Sequence, residues 1–600
     1  MFSMRDSGTK EVSHELGHNR RPYGVRGQAQ RDPALVSRRA AHGKAPSPLR
    51  SAGALHSAAG PFGIFGHALK RYGLALLACG LSGAGAFAQL VSPTPPKSTA
   101  PSNAAVPSPV VLKPNASLVA KASDGPGLAR VFCASCHLFP EPDLLDKKTW
   151  REGTLPRMKI RLGLAPEMID QHREAKLLRA SGVFPTAPML SEAEWKLIEA
   201  YYLASAPEAA LPQGPRPEIQ TGLKLFAPER PRFKRANPST SMVVIQPKTH
   251  QIYMGDAETK SLDILDAAGG LLKSIGLGNV PVSIAESERG LYVTLIGHFL
   301  PSEDPKGEFV FLEKSEGRFK PPKVILKELP RPTHVEFADL NRDGQQDFVM
   351  ALFGNNAGRL SWFENVGKDQ YKEHVILPKP GALRTVVRDF NADGAPDIAV
   401  LMAQDLETLF LLFNDGKGNF TPQPVFQKPP VYGHSHFELA DFDRDGRPDI
   451  LATNGDNGEY ASPLKRYHGV RIYLNKGGQK FEESFFFPLN GAYKAVARDF
   501  DRDGDLDIAA ISFFPDYERS PQESFVYLEN QGGLKFAPST FPQFFTGRWL
   551  TMDADDLDGD GDIDIVLGSH IHGPSDVPDS LMQLWEKVGP CVLVLKNQLR

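Results

Sequence analysis

The feature that most constrains this chain is a nine-residue loop that recurs five times in its C-terminal half. The copies start at Asp339 (DLNRDGQQD), Asp389 (DFNADGAPD), Asp441 (DFDRDGRPD), Asp499 (DFDRDGDLD) and Asp556 (DLDGDGDID), at intervals of 50, 52, 58 and 57 residues. Each is followed by a short apolar run, such as DIAV at 397–400. A period of this length in strand-rich text marks propeller blades, small sheets that bury their faces only by packing on neighbours. A second signature follows each loop: a strand ending in Asn or Lys, a Gly turn, then an aromatic, as at 473–481 and 527–536. Related hairpins at 262–270 and 311–319 lie in units without the acidic loop. Five loop-bearing units and two degenerate ones predict an all-β, seven-bladed propeller over 222–600. The text stops at 591–600 with the last blade one outer strand short, while 222–228 (GLKLFAP) echoes 533–538 (GLKFAP). Residues 222–228 are therefore expected to complete the seventh blade and remove the open edges. Cys591 is then expected to be a buried strand residue.

Each loop offers oxygen donors at positions 1, 3, 5 and 9 and a Gly at position 6. The candidate ligands are Asp339, Asn341, Asp343 and Asp347; Asp389, Asn391, Asp393 and Asp397; Asp441, Asp443, Asp445 and Asp449; Asp499, Asp501, Asp503 and Asp507; and Asp556, Asp558, Asp560 and Asp564. Calcium takes six to eight hard oxygens at about 2.3–2.6 Å, and the Gly permits the sharp turn. One such run could be an ordinary acidic turn; five in register point to up to five Ca2+ ions. Asn341 and Asn391 keep the oxygen but lower the charge, so their loops should bind more weakly. The pattern resembles the FG-GAP/VCBS repeats of integrin α-subunit propellers and their bacterial relatives.

The text before the propeller is of a different kind. Cys133-Ala-Ser-Cys136-His137 has the spacing of a c-type haem attachment site: two thiols one helical turn apart, followed by an imidazole for the iron. A zinc site would need a second ligand pair, and the other cysteines, Cys79 and Cys591, are distant and alone. A redox pair would be expected in a βαβ context, which is absent. Residues 122 to about 208 resemble class I cytochrome c. A helix around 127–132 leads into the motif, Pro140 follows it, and a last helix over 191–204 opens with Ser191 and Glu194 as a capping box. Trp195, Ile198, Tyr201 and Tyr202 share one face of that helix. The resemblance implies one haem c with His137 as proximal ligand and a Met as the sixth, at Met189 or, alternatively, Met158, with Met168 and His172 as outside candidates. A Met ligand raises the potential relative to a second His.

The domains expected are an upstream segment 1–69, a signal peptide 70–88, a Pro/Ser/Ala-rich linker 89–121, an all-α cytochrome domain 122–210, a linker 211–221 and the propeller 222–600. Lys70 and Arg71 precede the uncharged stretch 72–89, which ends in the small residues Ala86-Phe-Ala88 and predicts export with cleavage after Ala88. An uncleaved anchor, or a lipid on Cys79, would equally place the protein outside the cytoplasm, in the periplasm or at the cell surface. His14-Glu-Leu-Gly-His18 matches a zinc-protease pattern but falls in the basic lead, without a domain to supply a third ligand. A net charge of −3 argues against nucleic acid as a partner.

Five residues before four of the loops stand His334, Arg384, His436 and Lys494; the fifth loop has Thr551. Equivalent strand starts converge on a propeller's channel mouth, where such groups would attract an anionic ligand or an acidic partner; as solvated strand ends they would do neither. His434, His570 and His572 lie nearby without an assigned role. One-electron transfer to a redox partner is the leading expectation, and the whole arrangement resembles bacterial cytochrome-plus-VCBS-repeat proteins. A propeller dehydrogenase feeding its own haem and a calcium-dependent adhesion protein are the alternatives.

Overall fold

The computed structural model describes residues 122–457, 463–573, 575 and 577–599. The upstream segment, the predicted signal peptide and the linker to 121 lie outside the described residues, as does the 14–18 motif. Among the described residues no helix is long and apolar enough to cross a membrane.

The chain from 122 to 206 is helical. Helix Gly125–Phe132 starts at Asp124, whose carboxylate accepts the Gly127 N–H at 2.9 Å. The last helix, Glu192–Ser205, carries the capping box: Ser191 Oγ accepts the Glu194 N–H at 3.2 Å, and Glu194 accepts the Ser191 N–H at 2.7 Å. The two helices cross at Gly125, where an added Cβ would meet Leu197 O at 2.5 Å and Tyr201 Cβ at 2.9 Å. Only a residue without a side chain allows that approach. Phe132, Trp150, Trp195, Ile198 and Tyr202 fill the core beneath the crossing.

Seven sheets of antiparallel strands follow. Blades 1 to 7 have their innermost strands at Thr240–Gln246, Pro281–Ser287, Pro332–Ala338, Ala382–Arg388, His434–Ala440, Ala492–Arg498 and Trp549–Asp555. The second strands of the loop-bearing blades, Asp347–Leu352, Asp397–Met402, Asp449–Asn454, Asp507–Ser512 and Asp564–Ser569, are buried at every position. They lie between neighbouring blades on both faces, which is why they read as unbroken apolar runs rather than alternating ones. The ring closes through Phe226–Glu229, which pairs antiparallel with Val592–Asn597 as the outer strand of blade 7. Cys591 is fully buried directly before that partner strand.

Two features differ from expectation. Residues Gln220–Thr221, read as linker, pair parallel with Phe536–Thr540 at the edge of blade 6, anchored by Ile219 in the core between blades 5 and 6. A helix, Asp579–Val588, is inserted between the second and third strands of blade 7 and buries its own Trp585.

The helices and the propeller share a core, since Val431 and Tyr467 join the cluster built on Phe132 and Trp150. Polar contacts flank it. Arg161 donates to Asn356 Oδ1 at 2.6 Å, Ser302 Oγ and the Glu303 N–H donate to Glu174 at 2.5 and 2.9 Å, and Arg466 pairs with Asp143 at 2.5 Å. Residues 302–303, 356 and 466–467 belong to connections between second and third strands. The acidic loops join first to second strands and so lie on the opposite face.

Phe226 packs edge-on against Phe500 and Tyr527 and is buried. Phe226→Ala is expected to cost about 3–5 kcal/mol in urea unfolding. A loss below about 1 kcal/mol would mean that the closing strand is not coupled to the ring.

Candidate functional site

The five acidic loops have one backbone design. Position 6 is a glycine with φ between 82° and 93° in every copy, and position 4 is also left-handed, at Arg342, Ala392, Arg444, Arg502 and Gly559. The first Asp accepts the position-6 N–H in each, at 2.9, 2.8, 2.9, 3.1 and 3.1 Å from Asp339 to Asp556. The turn thereby folds the carboxylates toward one another. Oxygens of Asp441, Asp443 and Asp449 lie within 4.8 Å of each other, as do those of Asp499, Asp501 and Asp503, and those of Asp556, Asp558 and Asp560. Asp499 Oδ1 is buried without a hydrogen-bond partner among the described residues. Clustered hard oxygens with an orphaned lone pair suit a divalent cation of the calcium kind.

The ninth-position Asp has a second role that its spacing did not reveal. Asp347, Asp397, Asp449, Asp507 and Asp564 are fully buried, and each accepts the backbone N–H of the Asn ending the third strand of its blade, at 2.7–2.9 Å. Those residues, Asn365, Asn414, Asn475, Asn530 and Asn597, donate their side-chain amides back to the carbonyl preceding the Asp. This is the reason for the recurrent terminal Asn in the hairpin signature. Burial raises the pKa of each of these carboxyls, that of Asp507 to about 6.

The fifth loop differs from the others. The Lys596 ammonium pairs with Asp558 and lies 3.5 Å from Asp560 and 3.4 Å from Asp564. It supplies from the last strand a positive charge that a bound cation would otherwise bring.

In the helical domain the two thiols sit at the end of helix Gly125–Phe132, on a 3-10 turn, Cys133–Ser135, that carries the chain to Cys136. Cys133 is half-buried, and burial pushes its thiol up to about 11; Cys136 is exposed. His137 Nδ1 lies 2.8 Å from Leu138 O, which leaves Nε2 as the ring's ligating nitrogen. Cys133, Met158 and Met189 pack against the same apolar cluster. The two methionines are linked through Leu162, whose N–H donates to Met158 O at 2.9 Å and whose carbonyl accepts the Met189 N–H at 3.0 Å. A thiol and two thioethers on one apolar cluster, with a second thiol and an imidazole on the adjoining turn, fit a c-type haem. Met168 is exposed, and the His172 ring accepts from Glu174 N at 3.2 Å. His137 feels the charges of Arg161 and of Asp405, a residue of blade 4. Arg161 itself lies 3.9 Å from Asp405, so the attachment segment stands near the propeller, a proximity that spacing along the chain could not signal.

The four channel residues do converge. Burial, then Arg384, then Lys494 hold His334 well below its ordinary range, and the same charges act on His436. The four hold equivalent register positions at the starts of their innermost strands. His434 is instead in a buried pair, its Nδ1 2.6 Å from Glu407 Oε2. His570 stacks on Phe299 with ring centres 4.6 Å apart.

Residues 339–400, 389–452 and 499–567 match the FG-GAP-like repeat, a span that takes in all five loops. The chain is thus a seven-bladed propeller carrying FG-GAP-like repeats, joined to a helical domain. No curated protein matches it. Similar solved structures include the calcium-binding protein regucalcin of Agrobacterium tumefaciens, 11% identical over 62% of this chain and 96% of that one, with a TM-score of 0.32. They also include the hydrazine synthase of Kuenenia stuttgartiensis (12%, 56% and 95%, TM-score 0.36) and Sqt1 of Saccharomyces cerevisiae (8%, 64% and 100%, TM-score 0.37). Likeness at that level carries no functional argument.

Replacing Lys596 by Met removes the competing charge from the fifth loop. Calorimetric titration of Lys596→Met with calcium is expected to show an additional or tighter site. An isotherm identical to that of the unaltered protein would show that the lysine does not compete.

Proposed function

We propose that this protein is an exported c-type cytochrome in which a propeller holding up to five calcium ions carries a one-haem domain and docks its redox partner. The observation that supports it most is the setting of Cys133, Cys136 and His137 at the end of a helix, with Cys133 against the apolar cluster that also holds Met158 and Met189. A haem bound there would supply a one-electron iron couple. Cys133 and Cys136 would anchor it, His137 Nε2 would face the iron, and Met189, with Met158 as the alternative, would cap the other side. Were His137 and one of the methionines both to hold the group, no position would be left for a substrate, which favours electron transfer over turnover. Trp150, Trp195 and Tyr202 would exclude water from the inner edge.

The propeller's part is mechanical. Its acidic loops would take calcium on one face, and its other face grips the helical domain through Arg161, Glu174 and Arg466. A second reading, in which the propeller oxidises a small molecule and passes electrons to the haem, draws on the polar ring in the channel. That ring lies toward the helical face, because His334, Arg384, His436 and Lys494 stand near the starts of their strands.

The exported protein, matured with haem-attachment machinery, is expected to give a sharp α-band on dithionite reduction and a weak far-red band when oxidised. Met189→Ala is expected to abolish the far-red band and lower the potential, and Met158→Ala to leave both nearly unchanged. The reverse pattern would assign Met158. Failure to retain haem after denaturation would refute the cytochrome reading.

A further inference from the structure

We propose that the propeller's central channel binds a small oxyanion, of the size of sulfate, phosphate or a short carboxylate, on a ring built from His334, Arg384, His436 and Lys494. The inference is independent of the haem. Every innermost strand has a register irregularity at its start: Thr240/Met242, Pro281/Ser283, Pro332/His334, Ala382/Arg384, His434/His436, Ala492/Lys494 and Trp549/Thr551. The irregularity puts the second residue of each pair at one level of the channel. The level therefore consists of Met242, Ser283, His334, Arg384, His436, Lys494 and Thr551. Six of these seven side chains can donate a hydrogen bond.

The donors are largely unused. His436 is 7% exposed, and neither of its ring nitrogens has a hydrogen-bond partner. Arg384 Nε is buried and unpartnered as well. Among the described residues neither the Arg384 guanidinium nor the Lys494 ammonium lies within ion-pair distance of a carboxylate. Glu336, Glu438 and Asp553 act on these cations only from beyond ion-pair distance, and burial of a cation without a directly paired carboxylate is costly. His334 is better provided, with Nδ1 3.1 Å from Thr385 Oγ1.

The next level down explains why a ligand would stop at this ring. Two residues further along the strands stand Glu336, Glu438 and Asp553. Glu438 is paired with Arg498, and Asp553 accepts the Ile245 N–H at 2.8 Å. The two levels approach at His334 Nε2 and Glu336 Oε1, 4.0 Å apart. These carboxylates repel an anion from below, while Arg384 and Lys494 repel a metal ion from the imidazoles. Donors at the ring, acids beneath it and a site recessed in the channel select a small anion over an acidic protein surface.

The test is calorimetric titration of the full protein with sulfate, phosphate (calcium omitted) and malonate in separate experiments. One saturable site per chain is expected for at least one of the three anions. Arg384→Gln or Lys494→Met is expected to weaken it about tenfold or more, as loss of one charge-assisted contact implies, and the double variant to abolish it. Far-UV circular dichroism checks that the variants fold. If the double variant does not fold, Thr551→Val and Arg384→Lys report in its place, with weaker binding expected of each. No saturable binding of any of the three anions, or unchanged binding in the folded variants, would overturn the proposal.

Discussion

In each loop-bearing blade, a fully buried carboxylate ties the acidic turn to the far end of the third strand. Asp347 takes the N–H groups of Leu340 and Asn365, Asp397 those of Phe390 and Asn414, and Asp449 those of Phe442 and Asn475. A charged group without solvent is stable only while such donors remain, and removing one partner costs more than the bond was worth. The first strand, the loop, the second strand and the third therefore form one rigid piece. That rigidity holds the carboxylates of the last three loops close together against their mutual repulsion, at positions 1, 3 and 9 in the third and at 1, 3 and 5 in the fourth and fifth. Arginines at position 4 extend the arrangement around the ring, as Arg342 donates to Asp393 O at 3.2 Å and Arg444 pairs with Asp505 of the following blade.

The sequence made the blades legible because their defining residues are local. A nine-residue loop carries its own turn chemistry, and its recurrence counts the blades it occupies. The closing strand was legible for a similar reason, since 222–228 repeats the text of an outer strand. What stayed hidden depends on residues far apart in the chain. The Asp–Asn tie was visible only as a recurrent terminal Asn without a purpose. Lys596 approaches Asp558, Asp560 and Asp564 from another strand. The contact of Arg161 with Asn356 joins residues almost two hundred positions apart. Pairing of Gln220–Thr221 with blade 6 rests on the burial of one isoleucine in otherwise linker-like text.

For the candidate sites, the candidate ligands were readable where they are adjacent in the chain and unreadable where they are not. The Cys133–His137 spacing and the oxygen spacing of the loops stood out, whereas the choice between Met158 and Met189 did not, and both pack on the same cluster. The channel groups were visible as a periodic position in the repeats. Their depth, the missing partners of His436 and the acidic level beneath them required the folded ring. The same ring explains how two separate devices coexist. The acidic loops and the helical domain lie on opposite faces, so a cation would stiffen the propeller without touching the motif at Cys133–His137.

Because the helical and propeller cores are continuous through Val431 and Tyr467, the two parts should lose structure together. The most direct test is thermal unfolding of the protein matured with haem-attachment machinery, with and without a calcium chelator, followed at the Soret band and by tryptophan fluorescence. Chelation is expected to lower the midpoint, with both signals moving together. A midpoint indifferent to chelation, or a fluorescence transition that shifts while the Soret band does not, would contradict a calcium-held propeller that carries the haem domain as part of its own core.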